Sequence, residues 1–230
     1  MPGEDPAKTQ VIIPIVQQFM KFEGAIEEDK YVEYIRFEGI NFTYSEWEQF
    51  DGKLKNTMHL RFDPNKRYGA VVQTAYNVPA VISMEGTRYC AIENCNISHI
   101  GGYGVEMLDG CIANRIVGNE ITDMGAGGIK VGSVYDNEMK GKNSNNVVTD
   151  NHIHNGGHVY YSAVGITCSN SSWNNLSHNH IHDLYYTGIS CGWLWGYEDN
   201  LTHNNRIEKN HIHHIGKGVL SDMGAIYTLG

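Results

Sequence analysis

Asn179-His180-Ile181-His182-Asp183-Leu184 is one of five copies of a short motif. The others are Cys95-Asn96-Ile97-Ser98-His99-Ile100-Gly101, Asn119-Glu120-Ile121-Thr122-Asp123-Met124-Gly125, Asn151-His152-Ile153-His154-Asn155-Gly156 and Asn210-His211-Ile212-His213-His214-Ile215-Gly216. All superpose on their central isoleucine, and those isoleucines lie 24, 32, 28 and 31 residues apart. Each copy is followed by a glycine and an aliphatic residue: Gly104-Val105, Gly128-Ile129, Gly165-Ile166, Gly188-Ile189 and Gly218-Val219. Every period therefore holds two short alternating strands joined by glycine-bearing bends. An irregular period of this length, with insertions between the strands, suits a solenoid of stacked coils better than propeller blades of about forty residues. The chain reads as all-β, a right-handed parallel β-helix.

In such a coil successive rungs lie about 4.8 Å apart, so equivalent side chains form columns. The five isoleucines point inward, as do Val105, Ile129, Ile166, Ile189 and Val219, and two residues on Met107, Val131, Cys168, Cys191 and Ser221. Asn119, Asn151, Asn179 and Asn210, with Cys95 in that place one rung earlier, stack at a bend. There their amides satisfy backbone groups that the bend leaves unpaired. Residues 34–42 repeat the alternation as an earlier rung, 48–68 read as a loop excursion, and 71–74 and 80–83 resume strand character. Residues 7–21 suit a short helix or a capping strand. Residues 1–30 are expected to pack as an N-terminal segment on a solenoid formed by 31–230, with no second domain.

Composition narrows the partners. The chain of 230 residues carries 26 acidic and 17 basic side chains, a net charge of −9, with no Lys/Arg cluster to neutralise a row of phosphates, so nucleic acid is not expected. The longest apolar stretch, Val11-Ile12-Ile13-Pro14-Ile15-Val16, falls far short of the ~18 residues of a membrane span. Five cysteines without a C-x-x-C pair argue against a disulfide framework and suit small core positions. Met1-Pro2-Gly3-Glu4-Asp5 lacks the layout of a signal peptide, which leaves the cellular location open.

Three features could carry chemistry. Gly192-Trp193-Leu194-Trp195-Gly196-Tyr197 follows a strand directly, and Trp193 and Trp195 suit the apolar face of a sugar ring, or else a loop folded back over its own sheet. Aligning Gly218-Val219 with Gly188-Ile189 sets Asp222 in the column of Gly192, Ser169, Gly132 and Leu108, as its only carboxylate. There Asp222 would point outward as a general acid, base or nucleophile, or serve as a turn residue before Gly224. A bend column of His99, Asp123, Asn155, Asp183 and His214, with Tyr185 and Tyr186 beside Asp183, could line a substrate groove or simply make turns. His152, His180 and His211 form one outward column and His154, His182 and His213 another. Parallel imidazoles do not converge as tetrahedral zinc requires, so a solvated stack is expected, with no metal and no cofactor. Gly125-Ala126-Gly127-Gly128 lacks the helix and the Lys-Ser/Thr of a phosphate loop.

Residues Leu220-Ser221-Asp222-Met223-Gly224-Ala225-Ile226-Tyr227-Thr228-Leu229-Gly230, together with Tyr186-Thr187-Gly188-Ile189-Ser190-Cys191-Gly192-Trp193-Leu194-Trp195-Gly196 and Gly125-Ala126-Gly127-Gly128-Ile129, resemble the β-helical, pectate-lyase-like enzymes of glycoside hydrolase family 141. The opening Pro2-Gly3-Glu4-Asp5 and the rung at 35–47 are similar to internal segments of those proteins. The resemblance implies hydrolysis of plant cell-wall polysaccharide, with xylanase and α-L-fucosidase activities both represented, and a secreted or periplasmic setting for the full-length relative. It makes Asp222 one of two catalytic aspartates, with the companion in a rung beyond Gly230. The resemblance thus implies a β-helix truncated at its C-terminal end, with an incomplete carboxylate pair and an uncapped last rung prone to end-to-end self-association. Two other readings stay open. One is a glycan-binding or structural solenoid without chemistry. The other is a Ca²⁺-dependent polysaccharide lyase, which would want clustered carboxylates and a basic residue, with Lys130 and Lys217 nearest the groove.

Overall fold

The computed structural model describes residues 5, 8–9, 11–46, 73–134, 142–194, 196 and 199–229. Apart from a 3-10 turn at Ile26–Glu28, the regular structure of these residues is strand. Three parallel sheets run along the molecule, and each coil contributes one strand to each. The seven-stranded sheet is formed by Met20–Glu23, Ala80–Glu85, Tyr103–Met107, Ile129–Val131, Ile166–Cys168, Ile189–Cys191 and Ile226–Thr228. One six-stranded sheet stacks Arg36–Glu38, Ala91–Glu93, Arg115–Val117, Val147–Thr149, Asn175–Ser177 and Arg206–Glu208. The other, the histidine sheet, stacks Asn41–Ser45, Asn96–Ile100, Glu120–Met124, His152–Gly156, His180–Leu184 and His211–Ile215. Parallel pairing thus starts at Met20, while residues 11–19 carry no regular element. The expected loop at 48–68, residues 71–72 and Trp195 lie outside the described residues.

The register follows the repeat. Ile97, Ile121, Ile153, Ile181 and Ile212 are partners in neighbouring strands, as are Val105, Ile129, Ile166 and Ile189. Their side chains fill one continuous core, each worth about 1.5–3 kcal/mol when fully buried. Cys90, Cys95, Cys111 and Cys168 sit in that core as free thiols, and burial pushes the Cys111 thiol up to about 12.

The last coil departs from the expected register. Ile189 pairs with Ile226, not Val219, so Ala225-Ile226 takes the place assigned to Gly218-Val219. Val219 is 51% exposed, Ser221 is also exposed, and residues 217–224 form an extra loop. The Gly-aliphatic step at 218–219 imitates the repeat, but only Ile226 presents an alternating strand to the sheet edge. Asp222 therefore leaves the column of Gly132, Ser169 and Gly192; the residue packed against Gly192 is Leu229.

The corners are built from two asparagine ladders. Asn151 Oδ1 accepts the Asn119 backbone N–H at 3.1 Å and the Asn119 amide at 3.0 Å, while Asn151 Nδ2 donates to the Ile116 carbonyl at 2.8 Å and to Asn179 Oδ1 at 3.0 Å. Asn179 and Asn210 continue the pattern, and Cys95 begins it by donating its N–H to Asn119 Oδ1. Asn114, Asn146, Asn174 and Asn205 form a second ladder, five residues earlier in each coil. At these two bends the buried backbone groups bond to side-chain amides that also link adjacent coils.

Candidate functional site

Alternation along the seven-stranded sheet turns every second residue of each strand away from the core. Lys21, Ser83, Glu106, Lys130, Thr167, Ser190 and Tyr227 form one such outward column, in register from strand to strand. Glu106 and Lys130 are only 5% and 7% exposed, and they form an ion pair at 2.7 Å. Lys130 Nζ also donates to the carbonyls of Val78 at 2.7 Å and Tyr76 at 3.3 Å, so its three donors are all engaged. The ammonium thereby clamps the strap 73–79 across the outside of the sheet. Tyr103, fully buried, donates its hydroxyl to the Thr74 carbonyl and accepts the Val164 N–H at 3.2 Å, fixing the same strap.

Beside this strap lies a cavity of about 270 Å³ lined by Tyr76, Glu85, Glu106, Asp109, Lys130 and Thr167, among others. Trp193 packs edge-on against Tyr76, a lining residue, with ring centroids 5.2 Å apart, so it stands next to the cavity and not in its lining. Glu85, Glu106 and Asp109 were not singled out in the sequence. The signal for Glu106 was present: Val105 and Met107 point inward, so Glu106 must face out, one strand spacing from Lys130. Nothing comparable marks the strap, whose placement depends on contacts more than fifty residues away.

The other expected site residues fall into two groups. Asp222 is exposed, in a left-handed backbone conformation (φ 57°), and its carboxylate accepts the Tyr227 hydroxyl at 3.3 Å to each oxygen. Its backbone carbonyl accepts the Tyr186 hydroxyl at 2.8 Å, and Tyr186 in turn accepts the Gln73 amide at 2.9 Å. Tyr186 is only 4% exposed, and burial raises its pKa; its ring is a strut between the strap and the 217–224 loop rather than an open face.

His99, Asp123, Asp183 and His214 lie instead at the end of the histidine sheet, with Asn155 in the same column. All five have φ between 49° and 56°, the left-handed corner that Asn, Asp and His tolerate best among residues with a Cβ. Their side chains make local contacts: Asp123 lies 3.9 Å from His99 and 3.6 Å from His158, and Asp183 lies 2.8 Å from His182 and 3.6 Å from Lys217. The hydrogen bond from His182, aided by Lys217, holds the Asp183 carboxyl below the usual range. Burial, with repulsion from neighbouring imidazoles, lowers the pKa values of His152, His180 and His213.

Stacked parallel coils and a strapped cavity on the outside of one sheet define a β-helical solenoid with a surface site. The sequence model of the right handed beta helix region matches residues 80–228, more than half of the chain, and the chain belongs to that family. No curated protein matches it. A solved structure named "Glycoside hydrolase" superposes with a TM-score of 0.74 at 21% identity, covering 95% of this chain and 40% of that one. This chain thus spans less than half the length of that protein, and the likeness is one of fold.

Proposed function

We propose that this chain is the β-helical part of a glycoside hydrolase acting on plant cell-wall polysaccharide, xylan or fucose-containing pectin, bound on the outer face of the seven-stranded sheet. The observation that carries the reading is one cavity in which the ring of Tyr76, with Trp193 packed edge-on against it from outside the lining, meets the carboxylates Glu85, Glu106 and Asp109. Aromatic faces take the apolar side of a sugar, and carboxylates bind its hydroxyls. The similarly folded structure named "Glycoside hydrolase" supports the same class.

Asp222 is the proposed catalytic carboxylate, with the Tyr227 hydroxyl upon it. Glu106 and Tyr227 stand four strand steps apart, about 19 Å at ~4.8 Å per step, whereas paired glycosidase carboxylates lie about 5–9.5 Å apart. Glu106 is therefore assigned to binding and to the strap, not to a pair with Asp222. Lys130, with every donor engaged, is ill suited to the proton abstraction of a lyase. The exposure of Asp222 favours one second reading, a glycan-binding solenoid without turnover, because general acids work best in dry surroundings.

Reducing-sugar release from xylans and fucosylated pectins separates the two. Hydrolysis that falls at least about 100-fold in Asp222→Asn, with glycan binding retained, supports the catalytic reading. Binding without release, unchanged by Asp222→Asn, supports the second, and neither binding nor release refutes both.

A further inference from the structure

Six imidazoles crowd the outer face of the histidine sheet, on a different sheet from the cavity. His152, His180 and His211 make one file, and His154, His182 and His213 make another, two residues further along each strand. Within a file the rings are parallel: His152 and His180 lie 4.7 Å apart at 3°, His180 and His211 4.9 Å at 4°, His154 and His182 4.9 Å at 12°, and His182 and His213 4.8 Å at 6°. Parallel stacking is what the columns led one to expect. Between the files, however, the rings converge. His152 Nε2 meets His182 Nε2 at 2.8 Å, and His180 Nε2 meets His213 Nε2 at 2.8 Å. At the first end Glu120 Oε1 lies 3.2 Å from His154 Nε2 and 3.9 Å from His152 Nδ1.

The result is three cells of converging donors: Glu120, His152 and His154; His152, His180 and His182; and His180, His211 and His213. In each cell the donor atoms lie within 4.8 Å of one another. One ring is also oriented from behind. Asp183 Oδ2 lies 2.8 Å from His182 Nδ1, which places the ring proton there and turns the Nε2 lone pair toward His152. A carboxylate behind a histidine is the usual support of a metal-binding imidazole.

We propose that this face binds divalent transition metal ions that prefer imidazole, with Cu²⁺ the best fit. Metal–nitrogen bonds of about 2.0–2.1 Å set two ligands about 2.9 Å apart at a right angle and about 3.3 Å apart in a tetrahedron. The 2.8 Å separations therefore need almost no adjustment for the tetragonal geometry of Cu²⁺, and about half an ångström for Zn²⁺. A neutral imidazole offers one lone pair, so His152 and His180 can each serve only one ion. The first and third cells share no residue, which sets a ceiling of two ions per chain. A bound ion would also join coils about thirty residues apart in sequence, and so resist their separation.

The test is calorimetric titration of the untagged, chelator-treated chain with Cu²⁺, Zn²⁺ and, as an oxygen-preferring control, Ca²⁺, with electron paramagnetic resonance of the Cu²⁺ form. The expected result is no more than two Cu²⁺ bound, nitrogen coupling from at least two imidazoles, weaker Zn²⁺ binding and no Ca²⁺ binding. The His152→Gln/His180→Gln chain lacks a ring in every cell and should bind Cu²⁺ at least about 100-fold more weakly, since loss of even an outer-shell partner costs 10–100-fold. The His154→Gln/His211→Gln chain keeps only the middle cell and should bind a single ion, a result that does not depend on how the first variant folds. Cu²⁺ binding that is absent, lacks nitrogen coupling or is unchanged in both variants would overturn the proposal.

Discussion

Replacing Asn151 with alanine removes four hydrogen bonds at once. The Asn119 N–H and the Ile116 carbonyl, both main-chain groups in the buried corner, lose their side-chain partner, and the amides of Asn119 and Asn179 each lose one link of the ladder. Asn119, Asn151 and Asn179 are 1% exposed, so water cannot readily take over. An orphaned buried polar group costs about 1–3 kcal/mol, and two of them put the loss at about 2–6 kcal/mol. Asn210→Ala is the control. It also deprives one carbonyl, that of Leu176, and one backbone N–H, that of Asn179, but Asn210 is partly exposed, so a loss of about 1 kcal/mol is expected. Chemical denaturation of the full chain, followed by far-UV circular dichroism, reads both. Equal losses in the two variants, or a loss below about 1 kcal/mol for Asn151→Ala, would refute the idea that buried amides hold the corners.

Three further outcomes follow from particular contacts. Lys130→Met leaves Glu106 buried without its cation and releases the carbonyls of Tyr76 and Val78, while Tyr103 still holds Thr74; unfolding experiments should show a loss of about 3–5 kcal/mol, and proteolysis near residues 76–78 should speed up. At Gly132 an added Cβ would lie 1.9 Å from the Ser169 carbonyl at φ 78°, whereas at Gly39, with φ 69°, nothing lies within 4 Å. Gly132→Ala should therefore cost several times the ~1 kcal/mol expected for Gly39→Ala, and equal melting temperatures would contradict this. The lowered pKa values of His152, His180 and His213 mean that the unfolded chain takes up protons first as pH falls below the ordinary histidine value of 6.5. Denaturation midpoints should thus be flat above about pH 7 and fall between pH 7 and 5, more gently in His180→Gln/His213→Gln. The charged and titratable groups facing these rings are Glu120, His154, His182, Asp183, His211, His214 and Lys217. The Asp183 carboxyl, whose pKa is lowered, should add its own loss only at much more acid pH.

Where a structural rule repeats from coil to coil, the sequence carries it. The isoleucine spacing gave the stacking, the core columns and the first asparagine ladder, because each depends only on alternation along a strand and on repetition of the coil. The second ladder, five residues earlier, is written in the sequence in the same way, since Asn114, Asn146, Asn174 and Asn205 recur at the spacing of the first and Cys90 begins it as Cys95 begins the first. The last coil misled for a local reason: Gly218-Val219 copies the glycine-aliphatic step, and pairing at Ile226 shows only when Thr228 is set against Cys191. The cavity was the least legible part. Its strap and its buried Glu106–Lys130 pair arise from a segment folding back over the sheet, which no periodicity records. The convergence of the imidazoles was hidden too, since columns reveal which side chains stack but not how their rings turn.

The most direct measurement is a crystal structure of the chain soaked with xylo-oligosaccharides and with fucosylated pectic oligosaccharides. The account predicts a sugar ring against Tyr76 and Trp193 on the outer face of the seven-stranded sheet, with hydroxyls on Glu85, Glu106 or Asp109 and the chain running toward Asp222. An oligosaccharide seated on either six-stranded sheet, or none bound at concentrations that saturate hydrolases of this substrate class, would contradict it.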